Sequence, residues 1–349
     1  MRPFLLLLVS IAHAAPCIST SCTEWIALGN GQSRSLVYRT YPLDMKNEGV
    51  TRALVVIHGA GRDADNYFRS AVAAAFLAAA LDNTLVISPR FASDDNSSCR
   101  DSLAANEVNW PCSGDSWRSG GVARNDEKLT SFDFADEILR RLARKDIFPN
   151  LAAIVVAGHS AGGQFVTRYE MANQVHDQLG VPVTYLVANP SAYAYLDNTR
   201  PVASAYAVSS GAPGYVPTPA QGASFRVFSD ARNCTTFDQW PYGLQNRSGY
   251  TSRLTSDQLK RQLVARPTVY LLGELDILPL GGFDSSCPAM AQGPTRLARG
   301  QAFHKYVTEK FGAPHSLTIV PLCGHNARCM FTAEIALPIL FPKPGRTAP

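Results

Sequence analysis

Ser160 is the residue with the clearest chemical potential, because it stands between two glycines directly after an apolar run. Residues 155–164 read VVAGHSAGGQ, in which β-branched residues lead into Gly158, His159, Ser160, Ala161 and Gly162. This is either an ordinary Gly/Ser turn or a tight strand-to-helix turn that holds the serine out as a nucleophile. A serine hydroxyl is a weak nucleophile, so the second interpretation requires a base, an acid that orients the base, and donors for an oxyanion.

Candidates for the acid and the base follow later apolar runs. Asp276 stands just past a predicted strand in VYLLGELDIL, and a loop aspartate that merely caps a turn is the structural alternative. Glu274 and Asp284 are the other acids that could take this role. His325 follows the last predicted strand in IVPLCGHNARC. Ser160, Asp276 and His325 therefore occur in the order nucleophile, acid, base that this kind of turn uses.

Three other histidines are weaker candidates for the base. His304 lies inside a helical pattern, and His315 precedes a strand. His159 is adjacent to the serine, and because neighbouring side chains of a strand diverge, we expect its ring to point elsewhere. The predicted base is therefore His325.

Two backbone N–H groups are candidates for stabilising an oxyanion. Ala161 follows the serine at the predicted start of a helix, where the helix dipole favours negative charge. The segment HGAGRD, after the apolar run RALVVI, offers the N–H of Ala60, with Gly61 as the second choice. Arg62 in this segment is either a solvated loop residue, the more ordinary role, or a contact for a substrate carboxylate.

The elements that must position these residues alternate from about residue 50 onward. Apolar runs predict strands within 52–59, 84–89, 151–158, 181–190, 267–274 and 316–324. Helical patterns cover about 63–80, 130–145, the segment after Ser160, 255–265 and 295–312. This alternation predicts the α/β class, with a mostly parallel central sheet covered by helices on both faces.

Two long polar insertions interrupt the alternation, at about residues 91–129 and 191–253. Each follows a strand, so both are expected at the carboxyl edge of the sheet, where ligands bind in open α/β folds. Trp110, Trp117 and Trp240 lie in these insertions. Their rings either pack small loop cores or contact a substrate.

Composition and the N-terminal residues limit the classes of protein to which this chain can belong. The 349 residues carry a formal net charge of +4 without a Lys/Arg block, which argues against a nucleic-acid partner. Residues 1–15 have the charged start, short apolar core and small-residue pattern of a signal peptide, which predicts a secreted or periplasmic protein. No later segment predicts stable membrane insertion. Residues 16–349 are expected to form a single catalytic domain, since no repeat or linker interrupts them.

All eight cysteines follow the predicted signal peptide, and an even number in an exported chain favours disulfides. No Cys-x-x-Cys pair occurs, so neither zinc nor another metal is expected. Sequence alone fixes no pairing. Neighbours in the chain suggest Cys17–Cys22, Cys99–Cys112 and Cys323–Cys329, which leaves Cys234 with Cys287.

The segments HGAGRD, GHSAG, GELDIL and CGHN together resemble the α/β-hydrolase superfamily over about residues 50–335. Within it, the chain is similar to secreted esterases of the polyhydroxybutyrate-depolymerase and feruloyl-esterase kind. Residues 109–117 are similar to a Trp-containing loop there, although this loop is longer and holds two cysteines. The region after Pro190 aligns with no part of that pattern.

The resemblance implies the α/β-hydrolase fold and a secreted serine hydrolase that cleaves carboxylic esters through an acyl-enzyme, without a cofactor. Its substrate would be a small-molecule or polymeric ester. Two alternatives stay open. One is a secreted serine peptidase or acyltransferase that uses the same triad. The other is a non-catalytic binding protein with a hydrolase fold.

Overall fold

One eight-stranded sheet forms the centre of this protein, whose computed structural model describes residues 15–95, 99–202, 206–207, 218–219 and 224–343. The predicted signal peptide lies outside these residues, except for Ala15. The strands of the sheet are β1 (Thr23–Leu28), β2 (Ser33–Arg39), β3 (Arg52–Ile57), β4 (Thr84–Pro89), β5 (Ala153–His159), β6 (Val183–Ala188), β11 (Thr268–Gly273) and β12 (Ser316–Val320). Four short strands of the second insertion pair separately, namely β7 (Thr199–Pro201) with β10 (Phe225–Val227), and β8 (Tyr206–Ala207) with β9 (Thr218–Pro219).

The strand order of the main sheet is β1-β2-β4-β3-β5-β6-β11-β12. The pairs from β4 to β12 are all parallel, whereas β1 and β2 are antiparallel to each other, and β2 is antiparallel to β4. The predicted mostly parallel sheet is therefore confirmed. The alternation from residue 50 onward missed β1 and β2, because these two strands mix polar with apolar residues and are only partly buried.

Helices cover both faces of the sheet, as predicted. They are α1 (Ala64–Leu77), α2 (Ser131–Leu142), α3 (Ala161–Ala172), α4 (Ser256–Ala265), α5 (Cys287–Met290), α6 (Arg296–Lys305), α7 (Ala327–Thr332) and α8 (Leu337–Leu340). Alternate residues of β3 explain the arrangement: Leu54 and Val56 enter the core beneath α1 and α7, while Val55 and Ile57 enter the core beneath α2 and α3. Burial on both faces is why these strands are continuous apolar runs.

The tryptophans of the first insertion belong to the main core. Trp110 and Trp117 are completely buried, and the ring of Trp117 lies 5.0 Å from that of Phe91. Trp240 is partly buried and donates its indole N–H to the Ser119 carbonyl at 3.0 Å, which joins the two insertions. None of the three lines the cleft at Ser160. Packing is therefore the role that the structure gives the rings of Trp110 and Trp117, whereas Trp240 also lines a separate cavity.

The eight cysteines form four disulfides in the structure: Cys17–Cys22, Cys99–Cys112, Cys234–Cys287 and Cys323–Cys329. These are the pairs that neighbouring positions in the chain suggested. Cys99–Cys112 closes part of the first insertion, and Cys234–Cys287 ties the second insertion to α5. Within the described ranges, no helix combines the length and apolar character needed to cross a membrane.

Candidate active site

Ser160 occupies a sharp turn between β5 and α3. Its backbone has φ 60° and ψ −119°, a conformation that costs a non-glycine residue roughly 1–3 kcal/mol. The flanking glycines are required by close approach of the backbone. A Cβ atom at Gly158 would collide with the Gly162 carbonyl, and a Cβ at Gly162 would collide with the Ile57 carbonyl. This packing favours the strained nucleophile turn over an ordinary Gly/Ser loop.

A continuous chain of hydrogen bonds joins the three residues predicted to act together. The Ser160 hydroxyl lies 2.9 Å from Nε2 of His325, and Nδ1 of His325 lies 2.7 Å from Oδ2 of Asp276. Asp276 follows β11 and His325 follows β12, so all three reach the carboxyl edge of the sheet. The carboxyl group of Asp276 is buried, while Ser160 keeps 8% of its surface exposed.

The alternative acids and bases have other partners. Glu274 accepts the backbone N–H of Leu322 at 2.9 Å, and Asp284 accepts the hydroxyl of Tyr242 at 2.7 Å. The buried ring of His315 bonds the Tyr270 hydroxyl and the Leu263 carbonyl, and His304 bonds the His315 carbonyl. These contacts explain the residues structurally, away from Ser160.

The expectation for His159 was wrong. Its ring does not point away from the site: it lies against the His325 ring, with the ring centroids 4.6 Å apart. The divergence rule applies to a regular strand, and the positive φ at Ser160 ends that regularity. Burial, together with the charges of His325 and Arg296, lowers the pKa of His159 well below its ordinary value. A neutral His159 therefore packs against the candidate base.

Tyr67 and Asn189 hold the neutral His159 ring. The Tyr67 hydroxyl lies 3.1 Å from Nδ1 of His159, and the Asn189 amide nitrogen lies 3.5 Å from Nε2. The Asn189 side chain also accepts the N–H of Gly273 at 2.8 Å, at the end of the strand that precedes Asp276. Sequence reasoning missed this network, because its members are far apart in the chain.

The peptide between Gly59 and Ala60 is held firmly beside the serine. The Gly59 carbonyl accepts a hydrogen bond from Nδ1 of His58 at 2.8 Å and another from the Arg62 backbone N–H at 3.1 Å. In a planar trans peptide, fixing this carbonyl also fixes the Ala60 N–H on the opposite side. Ala161 is the first residue of α3, so its N–H belongs to the helix N-terminus. Both remain the predicted oxyanion donors.

Arg62 has neither of the roles considered for it. Its guanidinium donates to the carbonyls of Phe91, Trp110 and Pro111, at 2.6, 3.0 and 2.8 Å. Arg62 thus anchors the segment that carries Ala60 to the first insertion. The arginine was visible in the sequence, but its acceptors lie 29 to 49 residues away.

A cleft of about 900 Å³ opens above Ser160 and His325. Backbone of the Ala60 segment and of Gly281 and Gly282 forms part of its wall. Polar side chains complete the lining, among them Asp63, Asn66, Arg69 and Arg328. In the part of the chain that the structure describes, no group of three potential ligands could hold a metal ion.

Comparison with known proteins agrees with this fold. The model of the alpha/beta hydrolase family matches residues 54–334, which is most of the chain. The chain belongs to the alpha/beta hydrolase family. Two solved structures are similar in fold to this hydrolase. LpqC, a poly(3-hydroxybutyrate) depolymerase from Bordetella parapertussis, is 21% identical with a TM-score of 0.59, and the match covers 94% of this chain and 92% of that one.

The second structure is poly(aspartic acid) hydrolase-1 from Sphingomonas sp. KT-1, at 20% identity and a TM-score of 0.59. The match covers 91% of this hydrolase and 98% of that chain. No curated protein matches the hydrolase. At these identities the structural likeness establishes the fold, and the chemistry of this chain must be argued from its own residues.

His58 makes the stability of the hydrolase sensitive to acid. The backbone N–H of Phe91 donates to Nε2 of His58, so the ring is neutral and donates from Nδ1. Burial lowers the pKa of His58 from 6.5 to about 3. Between pH 7 and about 4.5, the unfolded chain binds a proton at His58 and the folded chain does not. Acidification over this range should therefore lower the free energy of unfolding by roughly 3 kcal/mol.

Urea denaturation of the parent and of His58→Asn at both pH values measures this contribution. Asparagine can still donate to the Gly59 carbonyl but does not titrate. We expect the stability advantage of the parent over the variant to shrink on acidification. Parallel pH dependences of the two proteins would show that His58 is not the group responsible.

The Cys323–Cys329 disulfide brackets His325 in a short loop. A loop of this size removes little entropy from the unfolded chain, so its main expected effect is on the position of the histidine. A displacement of about 1 Å can cost ~10²-fold in rate. We predict that Cys323→Ser with Cys329→Ser lowers kcat of the hydrolase more than it lowers Tm.

The matched control is Cys17→Ser with Cys22→Ser, which opens a disulfide of similar span away from the cleft. Its kcat should stay close to that of the parent. Full activity of the Cys323/Cys329 double variant would mean that packing alone positions His325, together with the Asn326 side chain that caps α7.

Proposed function

We propose that this alpha/beta hydrolase is an exported serine hydrolase that cleaves carboxylic esters. Ser160 is the nucleophile, His325 is the general base, and Asp276 orients His325. The N–H groups of Ala161 and Ala60 stabilise the oxyanion. The observation that supports the proposal most directly is the unbroken hydrogen-bond chain from the Ser160 hydroxyl through His325 to the buried Asp276.

Each residue has a defined part in the proposed reaction. His325 Nε2 accepts the hydroxyl proton as Ser160 Oγ attacks the ester carbonyl, and Asp276 stabilises the resulting imidazolium. The protonated histidine then gives its proton to the departing alkoxide, which leaves an acyl-enzyme. Water attacks the acyl group after losing a proton to His325, and the acid product departs as Ser160 regains its proton. This sequence requires no cofactor.

Exposure of Ser160 at the floor of a large cleft suits either a small or a polymeric ester. LpqC, one of the two proteins of similar fold, is named as a depolymerase of poly(3-hydroxybutyrate), a polyester. At 21% identity this name suggests substrates to test.

Cleavage of amide bonds in an acidic chain is the second candidate activity. The guanidinium groups of Arg69 and Arg328 line the cleft and could attract carboxylates. The poly(aspartic acid) hydrolase of similar fold makes an acidic polyamide a rational substrate to test. Arg69 also contacts Asp65 at 3.4 Å, so Arg328 is the better choice for a charge-removing variant.

Two experiments test the proposal. A fluorophosphonate probe should label Ser160 in the parent, and absence of labelling would favour a binding protein with a hydrolase fold. A panel of p-nitrophenyl acyl esters, peptide anilides and polyaspartate should then show turnover of the esters. Turnover of the amides alone would replace the esterase proposal with a peptidase. Transfer of the acyl group to added alcohols in preference to water would indicate an acyltransferase.

The four disulfides support export to an oxidising compartment, outside the cell or in the periplasm. The signal-like residues 1–15 provide the route. Mass spectrometry of protein recovered outside the cytoplasm should find a mature chain beginning near residue 16. Retention of residues 1–15 in that fraction would contradict cleavage.

A further inference from the structure

Arg296 lies behind the candidate acid as a completely buried cation. It is the first residue of α6, and its Nη1 is 3.5 Å from Oδ1 of Asp276, the carboxylate oxygen that does not bond His325. Neither of these two facing atoms has a hydrogen-bond partner among the described residues. A buried carboxylate without a compensating charge is strongly unfavourable, and the guanidinium of Arg296 supplies such a charge beside Asp276.

The same guanidinium also holds the wall of the cleft. Arg296 donates from Nη2 to the Gly281 carbonyl and from Nε to the Ser191 hydroxyl, both at 2.8 Å. Gly281 lies directly against the base, since a Cβ atom there would be 3.1 Å from Cδ2 of His325. The His325 ring is thus in contact with His159 and next to a backbone segment that Arg296 anchors.

We propose that Arg296 is a positioning residue of the active site, which acts through Asp276 and Gly281 on His325. Its positive charge compensates the buried Asp276 carboxylate, which orients the histidine. Its planar guanidinium group keeps Gly281 beside the edge of the His325 ring that carries Nε2. The inference rests on the proposed triad and adds a residue that neither the serine motif nor the spacing of the triad indicated.

The neighbouring groups leave Arg296 as the main positive influence on Asp276. Within the described ranges, Arg296 is the arginine or lysine found within 4.0 Å of this carboxylate, and the other contact is the His325 ring, the proposed base. His159 is neutral because burial lowers its pKa, and burial raises the pKa of Tyr193, which also faces Asp276. Asp284 is the remaining acid that interacts with Arg296.

The key variant is Arg296→Met, which removes the charge at similar length. We expect kcat to fall by about 10²-fold through the loss of precise geometry. We also expect the acid limb of kcat/KM to move to higher pH, because the active site loses a positive charge next to its carboxylate. Arg296→Lys keeps the charge but lacks the planar guanidinium group. It should retain the parental pH profile with a lowered kcat.

Arg299→Met is the matched control. Arg299 follows on the same helix and donates to the carbonyls of Ser191 and Asp284, so it holds the same segment, whereas the ion pair with Asp276 is made by Arg296. Its substitution should leave the acid limb in place. The same pH shift in the Arg299 variant would reduce the role of Arg296 to packing. A parental kcat in Arg296→Lys would show that the planar guanidinium group has no role of its own.

A second set of measurements separates this inference from the triad itself. In an Asp276→Asn background, Arg296→Met should cost less than in the parent, because a neutral amide needs no counter-charge and only the anchoring of Gly281 is left to lose. An equal loss in both backgrounds would overturn the inference. If the methionine variant fails to fold by circular dichroism, Arg296→Gln takes its place.

The far-downfield NMR signal of the His325 Nδ1 proton reports its bond to Asp276 without any substrate. It should weaken or move in the charge-removing variant and persist in Arg296→Lys and Arg299→Met. If the variants show these signals but fluorophosphonate does not label the parent, the Arg296 inference stands and the proposed esterase function is wrong. An unchanged signal in Arg296→Met would count against Arg296 instead.

Discussion

Ser160→Ala is expected to lower kcat by about 10³- to 10⁶-fold while the protein keeps its fold. The hydroxyl is the only group of Ser160 that the substitution removes, and its single described partner is Nε2 of His325. Initial rates on the best ester of the panel, together with a thermal melt, measure both parts of the prediction.

Ser88→Ala provides a comparison for the nucleophile variant. Ser88 is a buried serine of β4 whose hydroxyl has no hydrogen-bond partner in the described structure, and it lies outside the cleft. Its activity should stay near the parental value. Residual activity of Ser160→Ala within about tenfold of the parent would exclude Ser160 as the nucleophile, since other routes to hydrolysis rarely approach that rate.

Asp276→Asn is expected to lower kcat by up to ~10⁴-fold. The asparagine amide can donate to Nδ1 of His325, which would place the ring proton on Nε2 and prevent that atom from accepting the serine proton. Because Asp276 is 1% exposed, water cannot readily restore the original tautomer. Steady-state rates, with fluorophosphonate labelling as an independent measure of serine reactivity, test this outcome.

Glu274→Gln and Asp284→Asn are the paired controls for the acid. Each carboxylate has its own partner in the structure, the Leu322 N–H for Glu274 and the Tyr242 hydroxyl for Asp284. Both variants should retain far more activity than Asp276→Asn. If either is the more damaging change, the assignment of the acid must move to that residue.

The fold could be predicted from residue 50 onward because its central strands are buried on both faces. This burial selects continuous apolar runs, to which Val55 and Ile57 belong. The strands can therefore be predicted from their own residues, without knowledge of the strands they pair with. The antiparallel strands β1 and β2 lack that signature, since much of their surface is only partly buried. Their place in the sheet depends on the pairing of β1 with β2 and of β2 with β4, which no local pattern encodes.

Around the active site, local chemistry was readable and side-chain contacts were not. The pattern from Gly158 to Gly162 is local in the sequence, although the backbone atom that requires glycine at position 162 is the Ile57 carbonyl of β3. The contact of His159 with His325 joins positions 166 residues apart in the sequence. Arg62 resembles any loop arginine until its distant acceptors are known.

The sequence by itself therefore determined the alternation of strands and helices, the candidate nucleophile, acid and base, and the set of cysteine pairs to consider. These features depend on residue type and on spacing along the chain. Only the tertiary structure decided that Trp110 and Trp117 fill the core, that His159 lies against His325, and that Arg296 faces Asp276. Such contacts form between segments that folding brings together, and their energies depend on burial and direction, which a linear order of residues does not contain.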